Sequence, residues 1–256
     1  MVSPIENTPP DFLNGPNCPI AYRRRNGLGP GTVWLGGFRS DMLGTKADFI
    51  DQWALGNGRA FLRFDYTGHG ESSGRFEEGC ISQWASDGLA AFDNLTDGPQ
   101  ILIGSSMGAW TATLLAKQRT AKIAGAIFIA PAPDFTEMLM WPNLTDDQRN
   151  AVINDGFLSQ PSDYSDEPEI LTRKLFDDGR TQCVLGEPLV FNFPVVILQG
   201  MRDEAVPYDH AVKFANHIQS DDLQLCLSKT GDHRLSEPDD LTRLALTLDH
   251  LISKIG

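Results

Sequence analysis

Cysteine is scarce: the 256 residues hold four, Cys18, Cys80, Cys183 and Cys226, widely scattered. No C-x-x-C pair exists, which excludes zinc-ribbon and dithiol redox motifs. Cys226 falls in a strand-like run and reads as a small apolar residue. Basic residues are also few, 21 Lys and Arg against 34 Asp and Glu, for a net charge of −13. Phosphate backbones need a basic face, so nucleic acid is excluded as a partner, and binding to anionic membranes is disfavoured. Solubility is the simplest meaning of the acidity. Apolar runs long enough to span a bilayer are missing, which excludes stable membrane insertion. The first twenty residues carry Glu6 and Asp11 and no Arg or Lys. That pattern predicts neither a signal nor a transit peptide. The expected address is cytoplasmic and reducing, and mitochondrial only if a transit peptide has been removed. Internal repeats and low-complexity tracts are also lacking.

What the chain does have is apolar content, 41 %, ample for a buried core. From about residue 30, short β-type runs alternate with helix-type runs, which predicts a mostly parallel sheet covered on both faces. The expected strands are Thr32 to Leu35, Arg59 to Asp65, Gln100 to Gly104, Ile123 to Ala130, Val195 to Gln199 and Leu223 to Ser228. Several are near-continuous apolar runs, as expected of strands buried on both faces. Leu223, Leu225 and Leu227 alternate with Gln224, Cys226 and Ser228, which predicts an edge position. Ala211, Phe214, Ala215 and Ile218 share one helical face, as do Leu241, Leu244, Ala245, Leu248 and Leu251. Residues 18–26 read as an antiparallel hairpin with a turn at Gly27. Between Pro131 and Phe193 the alternation stops. This proline-rich stretch predicts helical fragments at Asp146 to Ile153 and Glu169 to Phe176, and no core strand. The expectation is one domain over 1–256 with a cap insertion at about 132–192.

The most informative residue is Ser106, in Gly104-Ser105-Ser106-Met107-Gly108, between a strand-like and a helix-like run. This is the G-x-S-x-G nucleophile elbow in the context it requires. Glycines at 104 and 108 let the strand and helix backbones approach closely. The hydroxyl then projects at a helix amino end, where free N–H groups favour negative charge. Gly70-Glu71-Ser72-Ser73-Gly74 also fits the pattern, but no strand runs into it and no apolar helix follows; it reads as a surface loop. Ser105 as nucleophile would put Ile103 and Met107 where the glycines belong. An idle Ser106 in a tight turn is the plain alternative.

A serine hydroxyl needs a base, and histidine titrates in the right range. His210, His217 and His250 fall in expected helices, and His69 in a flexible loop after a strand. His233 lies just past the last strand, with the elbow and a strand-end acid upstream, the chain order nucleophile, acid, histidine. Asp203 follows the Val195 to Gln199 strand and is the preferred acid, with Glu204 and Asp134 as rivals. An oxyanion hole takes two amide donors. Met107, after the nucleophile, supplies one, and the loop Gly36-Gly37-Phe38 supplies the other, at Phe38.

The stretches Gly37 to Lys46, Arg63 to Gly70, Gly98 to Trp110, Gly200 to Pro207 and Ser228 to Arg234 together resemble the α/β-hydrolase superfamily over nearly the whole chain. More narrowly, they are similar to its branch of mitochondrial palmitoyl-protein thioesterases and acyl-glucuronide esterases. Residues 132–192 match more loosely. The resemblance implies an α/β-hydrolase fold with Ser106, Asp203 and His233 as nucleophile, acid and base, and Phe38 and Met107 as oxyanion donors. The implied reaction cleaves carboxylic esters or acyl thioesters through an acyl-enzyme intermediate, with no metal or organic cofactor. Its substrate is a small ester or thioester, or an S-acylated protein. Short-chain esterase and long-chain thioesterase stay unseparated, and no substrate-binding residue is assigned. Met138, Leu139, Met140 and Trp141 read equally as an acyl site or as a cap helix packed on the body. A binding protein of this fold without catalysis is the other open class.

Overall fold

The chain's apolar runs become strands almost where its sequence places them. The computed structural model describes residues 8–161 and 168–255; Glu6 and residues 162–167 of the expected cap lie outside them. In chain order the strands are β1 (Asp11–Asn14), β2 (Pro19–Arg25), β3 (Leu28–Leu35), β4 (Arg59–Phe64), β5 (Gln100–Ser105), β6 (Ile123–Ile129), β7 (Phe157–Gln160), β8 (Glu169–Thr172), β9 (Leu189–Val190), β10 (Val195–Gly200), β11 (Ile218–Gln219) and β12 (Leu223–Ser228). The α-helices are α1 (Thr45–Gly56), α2 (Ile81–Leu95), α3 (Met107–Arg119), α4 (Asp146–Asn150), α5 (Arg173–Thr181), α6 (Tyr208–His217) and α7 (Pro238–Ile255). None of the described helices is long and apolar enough to cross a membrane.

One sheet runs β1-β2-β4-β3-β5-β6-β10-β12. Strands β1, β2 and β4 pair antiparallel, and every pairing from β4 to β12 is parallel. Alternate residues feed two cores, as the strand period of two requires. Val33, Leu102, Phe128 and Ile197 face one cluster with α2 and α3; Trp34, Ile103, Ile127 and Leu198 face another with α1 and α7. The stripe of α7 buries Leu244, Leu248 and Leu251, and that of α6 buries Ala211 and Phe214. Strand β12 is at the edge, as its alternation predicts, and Cys226 packs half-buried against the second cluster.

Two local expectations are corrected. Residues 19–25 form one strand, not both arms of a hairpin, and β4 separates it from β3. Gly27 is where the chain slips past: a Cβ there would fall on the backbone of Arg59 and Ala60. The second correction is at Glu169 to Phe176, where the first half is β8, paired antiparallel with β7. Helix α5 starts only at Arg173 because extended Thr172 caps it, accepting the Leu175 amide at 3.2 Å. Among the described residues, none between β6 and β10 joins the main sheet. Its helical fragment at Asp146–Asn150 runs on into a π-type turn, Ala151–Asp155.

Beyond β4, Asp65 ties two loops. It accepts the Met42 amide at 2.7 Å and the Glu71 amide at 2.8 Å. Burial outweighs these bonds and pushes its carboxyl up from 3.8 to about 6. Between those values the folded chain holds a proton that the unfolded chain has lost. Stability from this group is therefore full below pH 3.8 and is lost as pH rises through about 6, by about 3 kcal/mol. Carboxyl carbon NMR should give Asp65 a midpoint near 6, and denaturant titrations of Asp65→Asn should lack this fall.

Candidate active site

Strand β5 ends at Ser105 and α3 starts at Met107, so one residue, Ser106, makes the whole turn. Its backbone sits at φ 54°, ψ −117°, a region that L residues avoid. The conformation is held from both sides. The Ser106 amide donates to Ile129 O at 2.9 Å, and its carbonyl accepts the Ala109 and Ala132 amides at 3.0 and 3.1 Å. A Cβ on Gly104 would lie 2.8 Å from Ala109 N, and one on Gly108 would overlap the Leu35 carbonyl. The two elbow glycines are therefore required by the close approach read from the sequence. Ser106→Gly relieves the strain, whereas Ser106→Ala keeps it. Urea denaturation should find the Gly variant more stable than the Ala variant by about 1 kcal/mol.

Parallel register brings the ends of β10 and β12 level, Gly200 beside Ser228. The loops beyond them interlock: Met201 N donates to Ser228 O at 2.8 Å and Arg202 N to Gly231 O at 2.9 Å. A Cβ on Gly200 would sit 2.6 Å from Asp232 O, so the loops pass backbone to backbone. Asp232 caps the second loop by accepting the Arg234 and Leu235 amides, each at 3.0 Å. Lys46 Nζ donates to Arg234 O from α1. Burial pulls the Lys46 ammonium down to about 8.

This scaffold presents His233 between the other two side chains. Its Nδ1 donates to Asp203 Oδ2 at 2.8 Å, and Ser106 Oγ donates to its Nε2 at 3.2 Å. The carboxylate can only accept, so it selects the tautomer that leaves Nε2 free to take the hydroxyl proton. The Asp203 side chain is fully buried, while that of His233 is 24 % exposed and open to an incoming molecule. Asp203 also accepts the Val206 amide at 2.7 Å on Oδ1 and Gln199 Nε2 at 3.1 Å on Oδ2. Gln199 escapes sequence reasoning; its only trace there is a polar residue closing an otherwise apolar strand.

The rival residues have other work. Ser72 Oγ donates to Asp65 O at 2.7 Å and accepts the Ala21 amide at 2.8 Å. Ser105 is buried at the strand end. Asp134 accepts the amides of Val184 and Leu185, each at 2.8 Å, and Glu204 is exposed. His69 is buried among Tyr66, Phe76 and Trp84, and burial pulls its imidazole down to about 4. His210 Nε2 meets Pro133 O at 2.8 Å inside the fold, and His217 Nδ1 meets Lys213 O at 2.8 Å. His250 lies exposed on α7.

The Gly36-Gly37-Phe38 loop lies against the elbow: a Cβ on Gly37 would be 3.4 Å from Ser106 Cβ. Among the described residues, the Phe38 amide donates to no backbone carbonyl. Met107 opens α3, where an amide has no preceding turn to bond. Met138, Leu139, Met140 and Trp141 are half-buried and packed on the larger core, in keeping with the packing alternative.

Comparison with known proteins agrees with this architecture. The family described as serine aminopeptidase, S33 matches residues 39–167. Palmitoyl-protein thioesterase ABHD10, mitochondrial, of Homo sapiens is 36 % identical over 253 residues, 98 % of this chain and 82 % of the relative. A crystal structure of a putative hydrolase from Agrobacterium vitis S4 is 41 % identical with a TM-score of 0.90, covering 95 % of this chain and 99 % of that one. The structure of alpha/beta hydrolase domain-containing protein 10 from mouse is 34 % identical with a TM-score of 0.89, covering 96 % of this chain and 99 % of that one. The chain thus belongs to the α/β-hydrolase family, in the branch that includes the mammalian ABHD10 proteins, and is a hydrolase.

Proposed function

We propose that this hydrolase cleaves acyl thioesters and carboxylic esters, with Ser106 as nucleophile, His233 as general base and acid, and Asp203 as the orienting carboxylate. The observation that carries the reading is the single hydrogen-bonded row from Asp203 through His233 to Ser106. His233 Nε2 takes the Ser106 proton as Oγ forms a bond to the acyl carbon. The amides of Phe38 and Met107 receive the oxyanion. Collapse breaks the C–S or C–O bond, and His233 returns its proton to the leaving thiol or alcohol. Water then repeats the sequence on the acyl-enzyme, releasing a carboxylic acid and restoring Ser106. Each proton passes through His233, so the steps as written call for no cofactor.

The segment 132–192 serves as a cap over this edge of the sheet. Its anchoring supports that role: Asp134 grips residues 184–185, and Trp110 Nε1 on α3 donates to Gln182 O at 2.9 Å. The kinship with the human palmitoyl-protein thioesterase supports a long acyl chain and an S-acylated protein as substrate. That relative is named mitochondrial, while the four free cysteines fit a reducing compartment such as the cytoplasm; fractionation of the native cells decides between them.

The test is labelling with a fluorophosphonate, followed by peptide mass spectrometry and competition with butyryl through palmitoyl thioesters. The expected result is one adduct, on Ser106, suppressed best by the longer chains. An unlabelled Ser106 in folded protein would instead support the non-catalytic binding class. Suppression by the butyryl thioester alone would support the short-chain esterase.

A further inference from the structure

The Phe38 amide has an unusual mounting. It belongs to the Gly37–Phe38 peptide, and the two side chains that follow, Phe38 and Arg39, both rest on one ring from a different segment, Phe76. The Phe38 ring meets Phe76 edge-on, with centroids 4.8 Å apart and planes at 74°. The Arg39 guanidinium lies over the same ring, 4.6 Å from its centroid. Arg39 has φ 55°, a left-handed conformation that a non-glycine residue keeps only when its surroundings hold it.

Phe76 is itself well braced. It opens a short 3₁₀ turn, Phe76–Glu78, on the connection between β4 and α2. Trp84 of α2 stacks on it at 5.6 Å and 25°, and His69 meets it edge-on at 5.0 Å. Trp84 Nε1 donates to Thr67 O at 3.1 Å, locking that ring to the same loop. A Cβ on Gly68 would lie 2.7 Å from Phe76 N, so the backbone behind the ring has no slack. Phe135, from the segment after β6, closes on the Phe38 ring at 5.5 Å.

We infer that Phe76 is a positioning residue for the reaction, fixing the direction of the Phe38 amide by supporting the side chains of both Phe38 and Arg39. The direction of the Phe38 N–H follows ψ of Gly37 and φ of Phe38; pinning the Phe38 ring restrains φ of Phe38, and pinning Arg39 fixes the chain that leaves it, so the loop cannot turn as a unit. An oxyanion donor acts through orientation fixed before the charge develops, so a small rotation weakens it in the transition state and leaves substrate binding unchanged. The inference rests on the proposed role of Phe38.

The test compares Phe76→Tyr, Phe76→Leu and Phe76→Ala with the unsubstituted protein, all checked for folding by thermal melting. Readouts are p-nitrophenyl butyrate kinetics and inhibition by a trifluoromethyl ketone, which forms an oxyanion adduct. Phe76→Tyr should keep activity near the parent. Leu and Ala should lower kcat by about 10–100-fold, with KM within about twofold. Affinity for the ketone should fall in step with kcat/KM across the series. Should Ala unfold the chain, Leu and Tyr retain the comparison. An unchanged kcat in folded Phe76→Leu overturns the inference, as does a loss carried by KM, which would make Phe76 a substrate-contacting wall. Fluorophosphonate labelling of the unsubstituted protein separates the cases: if Ser106 labels and Phe76 variants stay fully active, only the positioning role fails. If Ser106 does not label, the proposed chemistry fails first.

Discussion

Ser106→Ala lowers turnover of an acyl thioester on the order of 10⁵-fold, while the protein still binds substrate. The hydroxyl at 3.2 Å from His233 Nε2 is the nucleophile of the row. Removing it leaves the proposed oxyanion donors and the binding surface, so a residual rate above that in water is expected. Alanine keeps the Cβ in its place at φ 54°, so the loss is chemical, not conformational. Stopped-flow and steady-state assays with palmitoyl thioesters measure the effect. A loss below about tenfold would remove Ser106 from the reaction.

Asp203→Asn has the second-largest effect, a kcat loss on the order of 10⁴-fold. Among the described residues, the hydrogen-bond partners of this carboxylate are donors: Val206 N on Oδ1, and Gln199 Nε2 and His233 Nδ1 on Oδ2. An amide has one acceptor and one donor end, so either orientation sets an NH₂ against a donor. Turned toward Oδ2's place, it meets Gln199 and holds His233 with its proton on Nε2, where it cannot accept from Ser106. Turned the other way, it meets the Val206 amide inside the fold. Either conflict also lowers stability by about 1–3 kcal/mol. Kinetics of the folded variant and its urea midpoint together check the prediction. A variant with full activity would mean that Asp203 plays no part in orienting the histidine.

The site was legible in the sequence to the extent that local chemistry dictates it. The elbow needs glycines where backbones touch, and those positions can be read without knowing what they touch. Asp203 and His233 follow strands that end at the same edge of a parallel sheet, so chain order was enough to bring them to Ser106. The pairing of β2 was not legible, because its neighbour β4 lies more than thirty residues on and inserts between β2 and β3. At Glu169 to Phe176 the apolar residues come as two adjacent pairs, Ile170-Leu171 and Leu175-Phe176, which mark neither period, and Thr172 as a cap was the overlooked cue. Gln199 and Phe76 were invisible for a different reason. Their contacts arise from the convergence of distant segments, and a polar strand end or a lone aromatic in a loop carries no mark of that.

The histidine and the serine come from parts of the sheet with unequal protection. Ser106 follows β5, an interior strand, whereas His233 hangs beyond β12, the outermost one. Outer strands fray at lower free energy than the centre that carries the cooperative unfolding transition. Gentle warming therefore silences the enzyme reversibly while its far-ultraviolet spectrum still reads as native, and amide exchange in β12 marks the temperature at which this begins.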